Sequence, residues 1–206
     1  MRLLLAAPSA DDLIGLLKAW RFWLVGALAG ALLGAAVYLV APPLYRARAT
    51  VNVDFHMEQA WPQNSDREQF YYLERETRKL EEIAMSDAVL KAVAAEAGGV
   101  TLAELRTQAL QLSQPGSGGW HFFAEARDPR AAERLAAAWA SQFAAAVQAQ
   151  VALPSGGLER YITAQPTQVE GLAAGRTASM SVYMLTGAAA FLAVAGVGIL
   201  FVRRAA

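Results

Sequence analysis

Two long apolar runs, residues 22–41 and 181–202, dominate the pattern of hydrophobic and polar positions along the chain. Neither run contains Asp, Glu, Lys, Arg or His. At about 1.5 Å of rise per residue, each run is long enough to cross about 30 Å of hydrocarbon as one helix. We therefore predict two transmembrane helices. Because ion and substrate pathways carry ionisable groups inside the membrane, a transporter or channel is disfavoured.

Small residues recur on one side of each predicted helix. Gly26, Gly30 and Gly34 are spaced four apart in the first run. Mostly small residues also share one face of the second run: Gly187, Ala190, Val194 and Gly198. Glycines at this spacing let another helix backbone approach closely, where van der Waals contact holds the two helices together. Both runs are therefore predicted to have a helix-packing face.

The residues after the first run alternate between apolar and polar. Pro42 and Pro43 end the helix, because proline lacks an N–H and disfavours a helical residue before it. One set of alternate positions is apolar: Tyr45, Ala47, Ala49, Val51, Val53 and Phe55. The positions between them are polar: Arg46, Arg48, Thr50, Asn52 and Asp54. A period of two predicts a strand with one buried and one hydrated face.

Helical patterns follow this strand. Residues 56–65 have no periodicity and are predicted to be a loop. A first helix begins at Asp66, a second follows Ser86, and a capping box at Thr101 and Glu104 begins a third. Mixed charges, among them Glu76, cover the outside of the first of these helices, and we expect them to be solvated.

A hairpin and a long helix complete the middle segment. Residues 109–113 and 120–126 alternate on either side of a glycine-rich turn, which predicts two paired strands. Asp128 and Pro129 are an N-cap and a first-turn proline for an amphipathic helix that ends near residue 151. Residues 158–164 are a candidate last strand. The predicted fold class is α+β: two transmembrane helices flank one α/β domain with a small mixed sheet and helices.

The remaining segments set the domain boundaries. Residues 1–21 are predicted to be an N-terminal stub with apolar residues at helical spacing. This amphipathic helix either lies in the headgroup zone or extends the first span. The first apolar stretch of the stub is too short for a signal peptide. Basic residues near the spans favour cytoplasmic termini, which leaves residues 42–180 outside and 203–206 in the cytoplasm.

Composition narrows the function. The chain is 55% hydrophobic and only 17% charged, which favours a membrane protein. Lys+Arg and Asp+Glu balance at 18 each, so no nucleic-acid partner is expected. There is no cysteine, and neither His56 nor His121 lies at ligand spacing from other candidates. We predict no catalytic residue, no cofactor and no metal site, and hence no enzyme.

The order of these parts resembles the polysaccharide co-polymerase (Wzz-type chain-length determinant) family. The resemblance is carried by the proline junction and its strand, the stretch 85–98 before the capping box, and the start of the alanine-rich helix: Pro42, Pro43, Tyr45, Ala47, Ala49, Val51, Val53, Asp128 and Pro129. The family usually has a proline-rich stretch before the second span, where this chain has only Pro166. This chain also lacks room for the long projecting helix of larger members, so the resemblance is to a short member of the family.

The resemblance implies a multi-pass protein of the inner (cytoplasmic) membrane that forms a homo-oligomer among membrane lipids. Such a protein would regulate the length or export of a surface polysaccharide (O-antigen, capsule or exopolysaccharide), beside a polymerase and the growing glycan chain. An alternative is a transmembrane adaptor that activates a cytoplasmic tyrosine kinase. Because the 203–206 segment is too short to contact a kinase, the N-terminal stub would make that contact. A third interpretation, a two-span receptor, predicts a lined pocket for a small ligand.

Overall fold

A computed structural model describes residues 20–60, 66–114, 119–153 and 158–205. The predicted N-terminal stub helix and the glycine-rich turn therefore lie outside the described residues, except for the ends of those segments. The chain divides into two compact units, one that contains the first and last helices and one that comprises Leu44–Thr177.

Seven helices and five strands are described, together with one π-helical turn at Leu105–Ala109. The helices are α1 (Trp20–Val40), α2 (Met57–Ala60), α3 (Asp66–Ala84), α4 (Asp87–Ala97), α5 (Leu102–Glu104), α6 (Pro129–Val151) and α7 (Met180–Ala205). The strands are β1 (Tyr45–Asp54), β2 (Leu110–Ser113), β3 (Gly119–Ala126), β4 (Thr163–Gln168) and β5 (Gly175–Arg176). The predicted α+β class is thus confirmed.

The first unit contains α1 and α7, which run antiparallel. Both helices are long and apolar enough to cross a membrane. Gly26, Gly30 and Gly34 of α1 face Phe191, Gly187 and Tyr183 of α7, in that order. The facing residues thus run backwards along α7 as the glycines run forwards along α1. None of the residues Met180–Val197 is buried, whereas the core helix of a water-soluble fold is mostly buried. This unit therefore exposes a largely apolar helix surface.

The second unit is built on one antiparallel sheet with the strand order β2-β3-β1-β4, and β5 also pairs with β1. The expectation of a mixed sheet is wrong. The α6 connection does link two strands of the same direction, β3 and β4, but β1 lies between them and is antiparallel to both. Every described neighbouring pair is consequently antiparallel.

One face of this sheet carries the core. The apolar positions of β1 point inward as the alternation predicts, with Ala47 opposite Ala124, Ala49 opposite Phe122 and Val51 opposite Trp120. Helix α6 packs on this inner face. Its Trp139 meets Phe122 edge-on at 4.8 Å between ring centroids, and Phe143 stacks on Trp120 at 5.5 Å.

A buried hydrogen bond joins α3 to α6. The Trp139 indole Nε1 donates to the Ala84 carbonyl oxygen over 2.8 Å. Ala84 is the last residue of α3, so this bond pairs one of the carbonyls that a helix end leaves without an internal partner. The next helix, α4, begins directly afterwards with Ser86 as its N-cap.

Two local predictions need correction. Residues 57–60 form the short helix α2 within the predicted loop, while residues 61–65 lie outside the described part. The last strand begins at Thr163 rather than 158 and continues through Pro166. Because β4 is an edge strand, a proline there need not supply an N–H to a further strand.

Candidate functional site

The two helices of the first unit meet backbone to backbone at glycines. A methyl group built on Gly30 or Gly187 would overlap the carbonyl oxygen of the other residue. One built on Gly34 would overlap the Tyr183 carbonyl, and one built on Gly26 would press on the Phe191 ring at 3.2 Å. Gly26, Gly30 and Gly34 thus lie on a single buried face whose partner is the chain's own α7. Gly198 also lies in α7, but its contacts are beyond the described part.

An apolar groove of ≈ 510 Å³ lies beside this glycine contact. Both helices line it, with Leu33 and Val37 from α1 and Ala190, Phe191 and Val194 from α7. Among its lining side chains only Tyr183 and Thr186 carry a hydroxyl. The composition suits hydrocarbon and offers a polar substrate almost no hydrogen bonds.

The second unit has an open sheet face, which we define as the outward side chains of β1 to β4 on the side opposite α6. None of these described side chains is buried. Its centre lies on β1 and β3, where Arg46 is opposite Glu125, Arg48 opposite Phe123 and Thr50 opposite His121. Uncharged polar residues surround this centre: Asn52, Gln111, Ser113, Gln165 and Gln168.

Arg46 is held in a fixed position on this open sheet face. Its Nε and Nη2 both donate to Glu125 Oε1, over 2.8 and 2.5 Å. Its guanidinium carbon lies 5.6 Å from the centroid of the Phe123 ring, within the range of a cation–π contact. An arginine held by a carboxylate and an aromatic ring loses little further freedom when it binds an anion.

Arg48 and His121 lie next to this pair. The Thr50 hydroxyl is 3.2 Å from His121 Nδ1. Burial, and then the positive charge of Arg48, lower the pKa of His121 below its ordinary value. Arg48 is exposed and has no ion pair with any carboxylate of the described residues. The centre of the face therefore holds two guanidinium groups for one carboxylate.

Glu76 contradicts the expectation of a solvated position, since its side chain is fully buried. Arg75 Nε and Lys79 Nζ donate to Oε1 over 2.8 and 2.9 Å, while Oε2 has no hydrogen-bond partner within the described part of the chain. The core-facing row of α3 passes through Tyr72, Glu76, Leu80 and Ala84, four residues apart. The sequence predicts an apolar stripe along this helix at Phe70, Leu73, Thr77, Leu80, Ile83 and Ala84. Leu80 and Ala84 are buried as that stripe predicts, whereas Phe70 is 64% exposed. The buried face is therefore rotated from the predicted one towards Tyr72 and Glu76.

The neighbourhood of Glu76 also perturbs Tyr72. Burial, and next the Glu76 carboxylate, raise the pKa of Tyr72 to about 12. Arg75 reaches Glu159 as well, over 3.6 Å, which links α3 to the segment before β4. These contacts hold two parts of the second unit together, and the alternation of charges along α3 gave no signal for them.

The residues that carry the family resemblance have identifiable places. Pro42 and Pro43 lie between α1 and β1, and Tyr45 begins β1 with the Arg176 guanidinium carbon 4.8 Å above its ring. Ala47 is fully buried in the sheet. The Asp128 carboxylate accepts the Ala131 N–H over 2.9 Å, and Pro129 is the first residue of α6. Each position is structural.

The described residues contain no group of three or more His, Cys, Asp and Glu side chains placed to hold a metal ion. His56 Nδ1 lies 2.8 Å from the Tyr161 carbonyl oxygen, and the His56 backbone N–H donates to Asp54 Oδ1 over 2.8 Å. His121 lies elsewhere, on β3 in the open sheet face, opposite Thr50 of β1. The two histidines are thus placed apart, each with its own local partner.

In comparison with known proteins, no family model matches the chain, and no curated protein matches its sequence.

Proposed function

We propose that the chain is a non-enzymatic scaffold of the inner membrane that regulates the length or export of a surface polysaccharide as a homo-oligomer. Helices α1 and α7 would anchor it, with both termini in the cytoplasm and the Leu44–Thr177 unit outside. The order of parts, from the proline junction to the helix that begins at Asp128, carries the resemblance to Wzz-type proteins on which the polysaccharide role rests.

One observation supports a scaffold above other membrane roles. The two apolar helices pack through Gly30, Gly34 and Gly187 and bracket a single α+β unit. Their shared groove is apolar and, within the described residues, holds no charged side chain, whereas transport pathways carry ionisable groups. An anchor with a close internal contact fits a protein that acts by holding a domain at a membrane surface.

The same contact changes how copies would associate. Because α7 of the same chain occupies the glycine face of α1, a neighbouring copy has to use other surfaces. Large apolar residues on α1 remain exposed, among them Leu24, Leu28, Leu32 and Leu39. We propose that copies meet along these exposed helix surfaces and along the outer domain, repeated around a closed ring.

Deletion of the gene in the source organism tests the proposal. We expect gel electrophoresis of the surface polysaccharide to show a changed length distribution or a loss of exported polymer, and complementation to restore it. Purified protein in detergent should run as a homo-oligomer. An unchanged polysaccharide together with a monomeric protein would overturn the proposal, and loss of phosphorylation of a cytoplasmic tyrosine kinase would favour the adaptor instead.

A further inference from the structure

We propose that the open sheet face of the second unit binds an acidic glycan, with Arg48 and Arg46 as the groups that hold its carboxylates. This inference rests on the proposed function, since it assigns the contact between the protein and its polysaccharide. It also adds what that function leaves open, namely the chemical class of the glycan and the surface that it contacts.

The open sheet face is accessible in the described part of the chain. Helix α6 packs on the inner side of β1, β3 and β4, where most alternate residues of β1 and β3, together with Ala164 of β4, are buried. On the outer side, every described side chain is exposed or half-exposed. Four strands spaced about 4.8 Å apart make a platform about 14 Å wide, which is enough for a few sugar rings in an extended chain.

Positive charge is in excess at the centre of the open sheet face. Arg46 and Arg48 stand against one carboxylate, Glu125, which Arg46 already contacts. The other acid on the outward side of β1, Asp54, is six residues beyond Arg48, about 20 Å along the strand, and lies 3.6 Å from His56. A carboxylate at the centre of the face therefore meets an excess of positive charge, and guanidinium binds carboxylate in a bidentate geometry.

Uncharged polar groups surround the two arginines. Hydroxyl and amide groups border them on the sheet, with Thr50 on the same strand, Gln111 and Ser113 on β2, and Gln165 on β4. Such groups donate to and accept from sugar hydroxyls. His121 stays uncharged because burial and Arg48 lower its pKa, so it adds a further neutral hydrogen-bonding group.

Two other anionic partners fit less well. Nucleic acid is held by many cations that neutralise successive phosphates, whereas this face has two arginines and the chain has no net charge. A membrane surface is met by basic residues together with exposed apolar side chains. At the centre of this face, the phenyl ring of Phe123 lies under the Arg46 guanidinium. A membrane surface is therefore a poorer partner.

Binding of a defined oligosaccharide tests the inference on the full chain in a non-ionic detergent. The probe is a hexamer of galacturonic acid, and the neutral comparison is maltohexaose. We expect calorimetry to detect the acidic hexamer only, with an affinity that falls as salt is added. R48A should weaken binding by about tenfold or more, and R48K should weaken it less, because lysine keeps the charge and loses the bidentate geometry.

A matched control is R130A, which removes an exposed arginine at the start of α6 and should bind as the natural chain does. Binding should also raise the pKa of His121 in an NMR titration, since a bound carboxylate offsets the charge of Arg48. Thermal unfolding of R48A should match that of the natural chain, because Arg48 is exposed.

Several results would overturn the inference: no binding of the acidic hexamer, equal binding of both sugars, or equal loss in R48A and R130A. If flotation with phosphatidylglycerol vesicles depended on Arg48 while the hexamer did not bind, the face would be a lipid contact. The inference and the proposed function fail separately. If R48A fully restored polysaccharide length in the deletion strain, the length-regulating role would stand, but the assignment of the open sheet face as the glycan-binding surface would be wrong.

Discussion

Glu76 is a charged residue at a fully buried position, and its neighbours explain how the fold tolerates it. Both Arg75 and Lys79 donate to one of its oxygens while their own side chains remain partly exposed. The carboxylate therefore gives up water and gains two charge-assisted hydrogen bonds. Arg75 and Lys79 keep part of their hydration, so each ion pair joins a buried acid to a partly exposed base.

Replacing this acid should destabilise the second unit. We expect Glu76→Ala to lower the free energy of unfolding by about 1–3 kcal/mol, because two hydrogen bonds to a charged group are lost and a small cavity is left. Denaturant unfolding of the detergent-solubilised chain, followed by circular dichroism, measures the change. Glu82→Ala, at an exposed position of the same helix, should stay within about 0.5 kcal/mol. Equal effects of the two variants would contradict the assigned burial.

His121 should make stability depend on pH. Its pKa in the folded chain lies below the ordinary value of 6.5, so the unfolded chain binds more protons between these two pKa values. The free energy of unfolding should therefore fall as the pH is lowered from about 6.5 and level off below the folded pKa. Unfolding curves of the natural chain and of His121→Gln at several pH values test this, since the substitution should remove that part of the slope.

At the scale of elements, α6 is the helix that organises the second unit. The i+4 spacing in the sequence predicts an apolar row at Leu135, Trp139, Phe143, Val147 and Val151, and the first four are buried while Val151 is half-buried. The row packs on the inner face of the sheet, and Trp139 additionally bonds the end of α3. The bond to Ala84 is a tertiary contact between residues that are distant in the chain, and no pattern in either segment predicts it.

Two tryptophans allow the contribution of that bond to be separated from packing. We expect Trp139→Phe to cost about 1–3 kcal/mol more than Trp120→Phe, because only Trp139 leaves a buried carbonyl without its donor. Both residues are buried, and both substitutions remove a similar volume. Paired denaturant titrations measure the difference. Indistinguishable midpoints and slopes would show that the Nε1 bond adds nothing to stability.

At the scale of the whole molecule, the two apolar helices depend on the absence of side chains at their contact. A Cβ at Gly30 would meet the Gly187 carbonyl and the Phe191 Cβ, the latter at 2.8 Å. Helix backbones that approach this closely gain dispersion contacts over their whole length. Any larger residue has to push the helices apart.

Gly30→Leu should therefore separate α1 from α7, whereas Ala36→Leu, on an exposed side of α1, should not. Tyr38 and Tyr183 contact each other with ring centroids 5.5 Å apart, and the chain has no cysteine. A Tyr38→Cys, Tyr183→Cys pair should cross-link in the natural background and in Ala36→Leu, and cross-link several-fold less with Gly30→Leu. Cleavage in the intervening domain followed by non-reducing electrophoresis reveals the linked fragments. Equal cross-linking in all three backgrounds would refute the glycine contact.

The sequence alone determined the elements whose pattern is local. Apolar length defined α1 and α7, strict alternation defined β1 and its buried side, and Asp128 with Pro129 defined the start of α6. These features follow from the chain's own periodicity and from backbone chemistry that needs no distant partner. The corrected elements, α2 and β4, are short, and short segments carry too few positions for a period to be read.

Tertiary structure decided which surfaces meet. It placed β1 between β3 and β4 and so made the sheet antiparallel, rotated α3 so that Glu76 faces the core, and gave the glycines of α1 a partner in α7 of the same chain. Among the described residues, it also left Arg48 without an ion-pair partner on the open side of the sheet. Each outcome depends on residues far apart in the chain, whose pairing is fixed by the packing of the whole fold and by no repeat within any one segment.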